Sequence, residues 1–414
     1  MTLTQGAKSA DTERELNVFA PELIEDPYTW YAQMREERIV SYQLPGLPDV
    51  RGVMLSRHAD VQAVLRDARF GRAGFRQSSA KVLGEGPLAD AYSLWFLFQD
   101  PPDHTRLRGL VSKAFTPRAV DNLRNKIDDV VELLLDQQKG KTSFDLMGSF
   151  AYQVPVLVIC ELLGVPESDR GRFTDWSAAL AKGLDILTVP DPESVRRGNE
   201  AAAGLTAYFR ELIHVRRTQP SDDLLTALIA AEEAGDRLTE DELLATCVLL
   251  FFAGHETTVN LIGNGTLALL RNPTELERVR REPSLMPGAI EELLRYDSPV
   301  QRTGRVVLED LEMHGRFYSQ GQRVNMLIGA ANRDPDQFPD PDRLDVSRAN
   351  ANQHLSFAAG IHYCVGAPLA RLEAQLAIAA LLRRYAELRM VGERPAWRPT
   401  FVLRGLRALE VGPG

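Results

Sequence analysis

Residues 357 to 371 read Phe-Ala-Ala-Gly-Ile-His-Tyr-Cys-Val-Gly-Ala-Pro-Leu-Ala-Arg, and they hold one of only three cysteines in 414 residues. A lone cysteine can be a nucleophile, a metal ligand, a haem ligand, or simply a small packed side chain. Cys160 and Cys247 lie inside apolar helical stretches and are assigned to the core. Cys364 differs, because it stands where a loop becomes a helix and Pro368 suits a first helical turn. A thiolate there meets free N–H groups and the positive end of the helix. Gly360 and Gly366 let backbone come close to something large and flat. A zinc site from His354, His362 and Cys364 would need H-x7-H-x-C, which matches no common zinc spacing. A Cys–His hydrolase pair of Cys364 with His362 is a second weak alternative.

A further chemical signal is Ala253-Gly254-His255-Glu256-Thr257-Thr258, an acid and a hydroxyl set in an otherwise apolar stripe. Burying such a pair is costly unless it is satisfied or used. The competing reading is that Thr257 only bonds back to the carbonyl of Ala253. Glu292 and Arg295 sit one helical turn apart and can pair, as many surface residues do. His104 and Arg108 are four apart on one helical face. With Arg305 and His362 they are candidate cations, although each alone suits a solvated surface. Gly263-x-Gly265-x-x-Ala268 fits a dinucleotide fingerprint as text, but it lies inside a helix with no strand before it and is rejected.

The elements that must carry these residues are mostly helical. IVSYQL (39–44) and VRGVMLS (50–56) read as a hairpin, and helical periodicity dominates from about 58 to 283. The longest helix runs from 239 to 270, opened by Thr239 and Glu242 at capping-box spacing and stopped at Asn272-Pro273. Strand signals return at 299–328 and near 400–412, with an Asp- and Pro-rich ordered coil at 332–348 between them. Residues 1–18 are polar and expected to be disordered, and 19–414 form one mostly α domain with a small β part. A net charge of −9 argues against nucleic acid as the main partner. The first residues lack an apolar signal region, and the run at 243–254 is too short to span a bilayer, so a cytoplasmic location without membrane attachment is expected.

With these residues in place, the cysteine loop resembles the haem-binding loop of the cytochrome P-450 monooxygenases. Phe357, Gly360, His362, Cys364, Gly366, Leu369, Ala370 and Arg371 match its pattern. Ala358 departs from it, since Gly or Ser is usual there, and alanine fits if its φ stays negative. The resemblance extends from PELIEDPYTWYAQMREE (21–37) to FVLRGLRALEV (401–411). It implies the triangular-prism fold, with haem b held between the long helix and the helix after Cys364, whose thiolate would ligate the iron. It implies Ala253, Gly254, Glu256 and Thr257 as the oxygen-activating groove, with Gly254 leaving room for dioxygen, Thr257 delivering protons and Glu256 relaying them from solvent. Glu292, Arg295 and Arg343 would form a structural triad bracing the loop. His104, Arg108, Arg305 and His362 would hold the two propionates.

The resemblance further implies insertion of one atom of O2 into a C–H or C=C bond. Electrons would come from NAD(P)H through a separate ferredoxin reductase and ferredoxin, as the chain shows no flavin domain. Tyr92, Leu94, Leu97, Leu249, Phe252, Val300, Thr303, Phe401 and Val402 would line a largely apolar pocket. That lining points to a mid-sized hydrophobic substrate of polyketide, terpenoid, steroid-like or fatty-acid-like type. Helices near 169–187 and 192–218 would form a mobile lid. Arg106, Lys113 and Arg118 are candidates for a basic ferredoxin-docking face, and a monomer is expected. An H2O2-driven relative and a haem sensor that is not an enzyme are the alternatives; the acid–Thr pair argues against both.

Overall fold

The computed structural model describes residues 14–15, 20–44, 47–72, 83–186, 191–233, 238–392 and 394–412. Most of the tail expected to be loose lies outside these, but Arg14–Glu15 forms a short strand rather than a disordered segment. The helices that frame the site are α1 (His58–Arg66), α2 (Asp103–Ser112), α3 (Gln153–Leu162), α4 (Phe173–Ile186), α5 (Pro192–Thr218), α6 (Glu240–Arg271), α7 (Met286–Tyr296) and α8 (Ala367–Arg384).

The capping box sets the start of α6: Thr239 Oγ1 accepts from the Glu242 N–H, and the Glu242 carboxylate accepts from the Thr239 N–H. Beyond that first turn α6 is nearly all apolar or small, and it is buried along most of its length. It is therefore the axle of the molecule, with α3, α5, α7 and α8 packed around it. Among the described residues only α6 is long and apolar enough to cross a membrane, and 83% of its apolar window is buried inside the protein. That is the signature of a core helix.

The β part is a six-stranded sheet. β1 (Arg14–Glu15), β2 (Ile39–Leu44), β3 (Leu47–Leu55), β4 (Phe70–Gly71), β5 (Arg302–Val307) and β6 (Arg323–Leu327) lie in the order β1-β2-β3-β6-β5-β4. β2 and β3 pair antiparallel, as the hairpin pattern predicts. Near the C-terminus, Glu410–Gly412 pairs with Phe144–Asp145. Residues 397–406 also fold back on themselves, with a Trp397–Leu406 bridge, and this hairpin lies beside α6. A second apolar cluster fills the space between sheet and α1, where Val53, Val61, Val64 and Val324 are fully buried.

Candidate active site

The cysteine loop is built by close approach. Gly360 has φ +69°, and a Cβ there would collide with the carbonyl of Leu65 at the end of α1. Ala358 has φ +59°, so the expectation of a negative angle is overturned. The loop takes the left-handed turn at both positions and accepts about 1–2 kcal/mol of strain at the alanine. The Cys364 N–H donates to the Phe357 carbonyl at 2.9 Å, folding the loop back on itself. The thiol faces a central cavity and is enclosed by protein elsewhere. Burial raises its pKa, opposed by the N–H groups of Gly366 and Ala367 and by the charges of Arg108 and Arg371. Those groups are arranged to stabilise a thiolate. Phe357 is buried beneath the Arg371 guanidinium, which lies 4.5 Å from its ring centre. Gly366 keeps the space beside the sulfur clear.

The brace behind the loop differs from the expected triad in one member. Arg295 Nε and Nη2 donate to the two oxygens of Glu292 at 2.7 and 2.8 Å, with both side chains fully buried. The third member is Arg348, whose Nε lies 3.1 Å from both Glu292 oxygens. Arg343 instead turns outward, 67% exposed, onto Asp345; only its carbonyl joins the network, accepting from Arg295 and Arg348. The coil carries both arginines five residues apart, and its path decides which one points inward. From this brace Glu291 reaches forward to Arg371 (2.6 Å) and His354 (3.2 Å), tying α7 to the loop and to α8.

The expected cations gather at one edge of the cavity. The rings of His104 and His362 are 4.3 Å apart. Burial pushes both imidazoles down to about 4, so both are neutral near pH 7. Arg305, on β5, is lowered to about 10 by burial. Arg108 lines the cavity and donates to the Tyr363 carbonyl. A fifth member, Arg72, has no signal in the sequence, because it follows a two-residue strand and belongs to no motif. Its guanidinium donates to Thr303 Oγ1 at 3.0 Å, and burial and Arg305 drive its pKa well down. Both His104 ring nitrogens, His362 Nε2, Arg305 Nη2 and Arg72 Nε are buried without a hydrogen-bond partner among the described residues. Asp100 stands 3.9 Å from His362 Nε2, too far for a hydrogen bond.

Three guanidiniums facing one carboxylate leave two positive charges, and buried polar atoms are ordinarily paired. The site is therefore complementary to a ligand bearing two carboxylates. The two propionates of haem b would meet that requirement, and Cys364 would hold its iron, so the residues present fit the cofactor.

Across the cavity from the cysteine, α6 presents Ala253, Gly254, Thr257, Thr258 and Leu261. Besides lining the cavity, Gly254 has a packing role: a Cβ there would stand 2.9 Å from Ile159, so the glycine lets α3 pack closely on α6. Thr257 Oγ1 is 3.4 Å from the Ala253 carbonyl, a long back-bond that leaves the hydroxyl facing the cavity. Glu256 does not line the cavity. It is buried on the neighbouring flank, where Arg398 Nη1 holds its carboxylate at 2.5 Å. The neighbouring His255 Nε2 pairs with Ser177 Oγ on α4 and lies 3.9 Å from the Glu256 carboxylate.

The cavity has about 1300 Å3 of empty space, including its open mouth. Of the expected pocket residues, Leu97, Leu249, Val300 and Thr303 line it, joined by Phe96, Phe115 and Ile328. The others turn elsewhere. Phe252 stacks on Trp95, the Tyr92 hydroxyl donates to the Leu180 carbonyl, and Phe401 lies under Arg302. Leu94 packs on the main core, and the Val402 N–H is held by Asp185. Helix phase and coil direction decide these orientations. Arg106 is likewise taken by Glu242 and Asp103, leaving Lys113 and Arg118 exposed on the cysteine side.

A central helix facing a cysteine loop, with paired cations at the cavity edge, defines a haem-thiolate protein. The profile of the Cytochrome P450 family matches residues 50–398. Cytochrome P450 107B1 of Saccharopolyspora erythraea is 43% identical over 411 residues, 97% of this chain and 98% of that protein. The polyketide biosynthesis cytochrome P450 PksS of Bacillus subtilis is 42% identical over 367 residues, covering 86% and 88%. The crystal structure of P450BioI in complex with hexadec-9Z-enoic acid ligated acyl carrier protein superposes with a TM-score of 0.87 at 40% identity, over 94% of this chain and 99% of that one. The chain belongs to the cytochrome P450 family and is a monooxygenase.

Proposed function

We propose that the protein uses O2, with electrons from NAD(P)H carried by a reductase and a ferredoxin, to oxidise a polyketide-like or fatty-acyl-like substrate. The observation that carries this reading is the cavity itself: a thiol on one wall, a hydroxyl-bearing helix on the other, and two uncompensated positive charges at one edge. Cys364 would hold the iron, and Arg72, His104, Arg108, Arg305 and His362 the propionates. Bound haem supplies activation of O2 for insertion of one oxygen atom, the other leaving as water.

The chain's own residues bind, shield and deliver protons. Phe96, Leu97, Phe115, Leu249, Val300 and Ile328 give an apolar wall that excludes water and favours a hydrophobic substrate. Thr257 places a hydroxyl at the reacting side, and Glu256, one residue earlier, is positioned to recharge it. Arg398 Nη1 holds the Glu256 carboxylate and orients it. The substrate class draws on the relatives, since PksS serves polyketide biosynthesis and P450BioI carries a fatty acyl carrier protein. Lys113 and Arg118 offer the exposed positive charge an acidic ferredoxin needs.

Turnover with a surrogate ferredoxin pair, against turnover with H2O2 alone, tests the reading. Product from the ferredoxin pair, falling at least tenfold in Thr257→Ala, is expected. Efficient turnover only with H2O2 would contradict it.

A further inference from the structure

Glu256, Asn260 and Asn264 recur every fourth residue of α6, so they stack along one side of it. They span about 12 Å at 1.5 Å per residue. All three are buried, at 2, 1 and 1% exposure. The Oδ1 atoms of Asn260 and Asn264 have no hydrogen-bond partner among the described residues. Leaving such an acceptor buried and unpaired costs about 1–3 kcal/mol. Two in line on a helix that is otherwise apolar therefore call for a partner, and water is the partner small enough to reach them.

The C-terminal hairpin covers this flank and leaves polar groups along it. Arg398 holds Glu256, and Asn264 Nδ2 donates to the Arg404 carbonyl at 3.0 Å. Gly405 lies against the Asn260 carboxamide so closely that a Cβ would overlap its oxygen. At its far end the flank opens into a second, polar cleft with about 730 Å3 of empty space. Tyr28, Asn264, Arg271, Asn272, Asp297 and Arg404 are among its walls, and Arg271 is exposed at its mouth.

We propose that a file of ordered water runs from this cleft past Asn264 and Asn260 to Glu256 and serves as the proton inlet of the enzyme. This rests on the role proposed above for Glu256. Arg398 cannot replace the file, because a guanidinium keeps its protons at every working pH; it orients the acid. Each turnover consumes one substrate molecule, one O2, two electrons and two protons and yields one hydroxylated product and one water. The protons pass from cleft water along the file to the Glu256 carboxylate and on to Thr257. No electron moves in this step. Asn260 and Asn264 are positioning residues: they hold water and do not themselves titrate.

The test compares Asn260→Leu, Asn264→Leu and Asn264→Ser with the unaltered holoenzyme and Glu256→Gln, beside a high-resolution structure of the unaltered protein. The structure should show ordered water within hydrogen-bond distance of both Oδ1 atoms. Both leucine variants should keep the ferrous–CO spectrum and substrate affinity. Their product per NAD(P)H should fall about tenfold, less than the 10²–10⁴-fold of a positioned general acid because Glu256 remains, and the H2O/D2O rate ratio should rise. Asn264→Ser, which loses the same bond to Arg404 but leaves room for water, should recover most of the coupling. A dry flank in the structure overturns the proposal whether or not the leucine variants fold. So do leucine variants with unchanged coupling and isotope effect while Glu256→Gln is impaired. An unimpaired Glu256→Gln would instead overturn the role assigned to Glu256.

Discussion

At Glu292 every side-chain nitrogen of Arg295 and Arg348 ends on an oxygen of the protein, whether carboxylate or backbone carbonyl. At His104, His362, Arg305 and Arg72, on the other side of the same loop, five buried nitrogens find no hydrogen-bond partner among the described residues. Both regions bury cationic side chains beside the cysteine, yet one is closed and the other is held open. A saturated cluster is a brace, whose loss is felt by the fold. A cluster with spare donors is a socket, whose loss is felt by whatever fills it. Residue type alone does not separate the two; partner count does.

The largest effect that would break this contrast is at the brace. Glu292→Ala leaves two buried guanidiniums uncompensated and should cost about 3–5 kcal/mol, read as a lower urea midpoint of the apoprotein. Arg348→Ala should cost about 3 kcal/mol on the same ground, and the outward-facing Arg343→Ala less than about 0.5 kcal/mol. Equal losses at the two arginines would undo the reassignment of the third member.

At the socket the signs reverse. Arg305→Ala should leave the apoprotein as stable or more so, since it removes a buried cation. It should release haem about 10–100-fold faster, from a charged hydrogen bond worth about 1.5–3 kcal/mol. Haem transfer to a scavenging apoprotein measures this. A destabilised apoprotein with unchanged haem retention would make Arg305 a brace residue.

The link from brace to loop is sharpened by pH. Although burial opposes it, His354 and Arg371 hold Glu291 down to about 2, whereas in an unfolded chain it titrates near about 4.3. The folded state thus binds fewer protons between these values. The stability from this contact is present above about pH 4.3 and lost as pH falls towards 2. On the order of 2 kcal/mol should disappear over that range, and Glu291→Gln should flatten that part of the profile.

The smallest effect lies in the loop. Relieving the left-handed Ala358 returns about 1–2 kcal/mol, and the added chain freedom of glycine takes back about 0.4–1 kcal/mol. Ala358→Gly should therefore gain roughly 0.5–1 kcal/mol in thermal unfolding of the apoprotein.

What the sequence made legible follows from where the determining forces lie. The start of α6, the β2–β3 hairpin and the turn into α8 are set by local chemistry, and they stand where capping, alternation and proline place them. His104, Arg108, Arg305 and His362 were found because the motif fixes their spacing. Arg72 was invisible for want of one. Arg343 and Arg348 have equal local claims, and only the path of the coil separates them. Gly254 was read for its cavity side alone; its packing contact with Ile159, almost a hundred residues away, is a tertiary property the sequence did not show. Phe252, Phe401 and Tyr92 are apolar enough for a pocket, but orientation is a tertiary property.

The ferrous–CO spectrum of the reconstituted protein tests the central claim most directly. The account predicts the red-shifted Soret band of a thiolate ligand, present with haem bound and abolished in Cys364→Ala. A band at the position of a neutral-ligand haem, or one that survives that substitution, would contradict it.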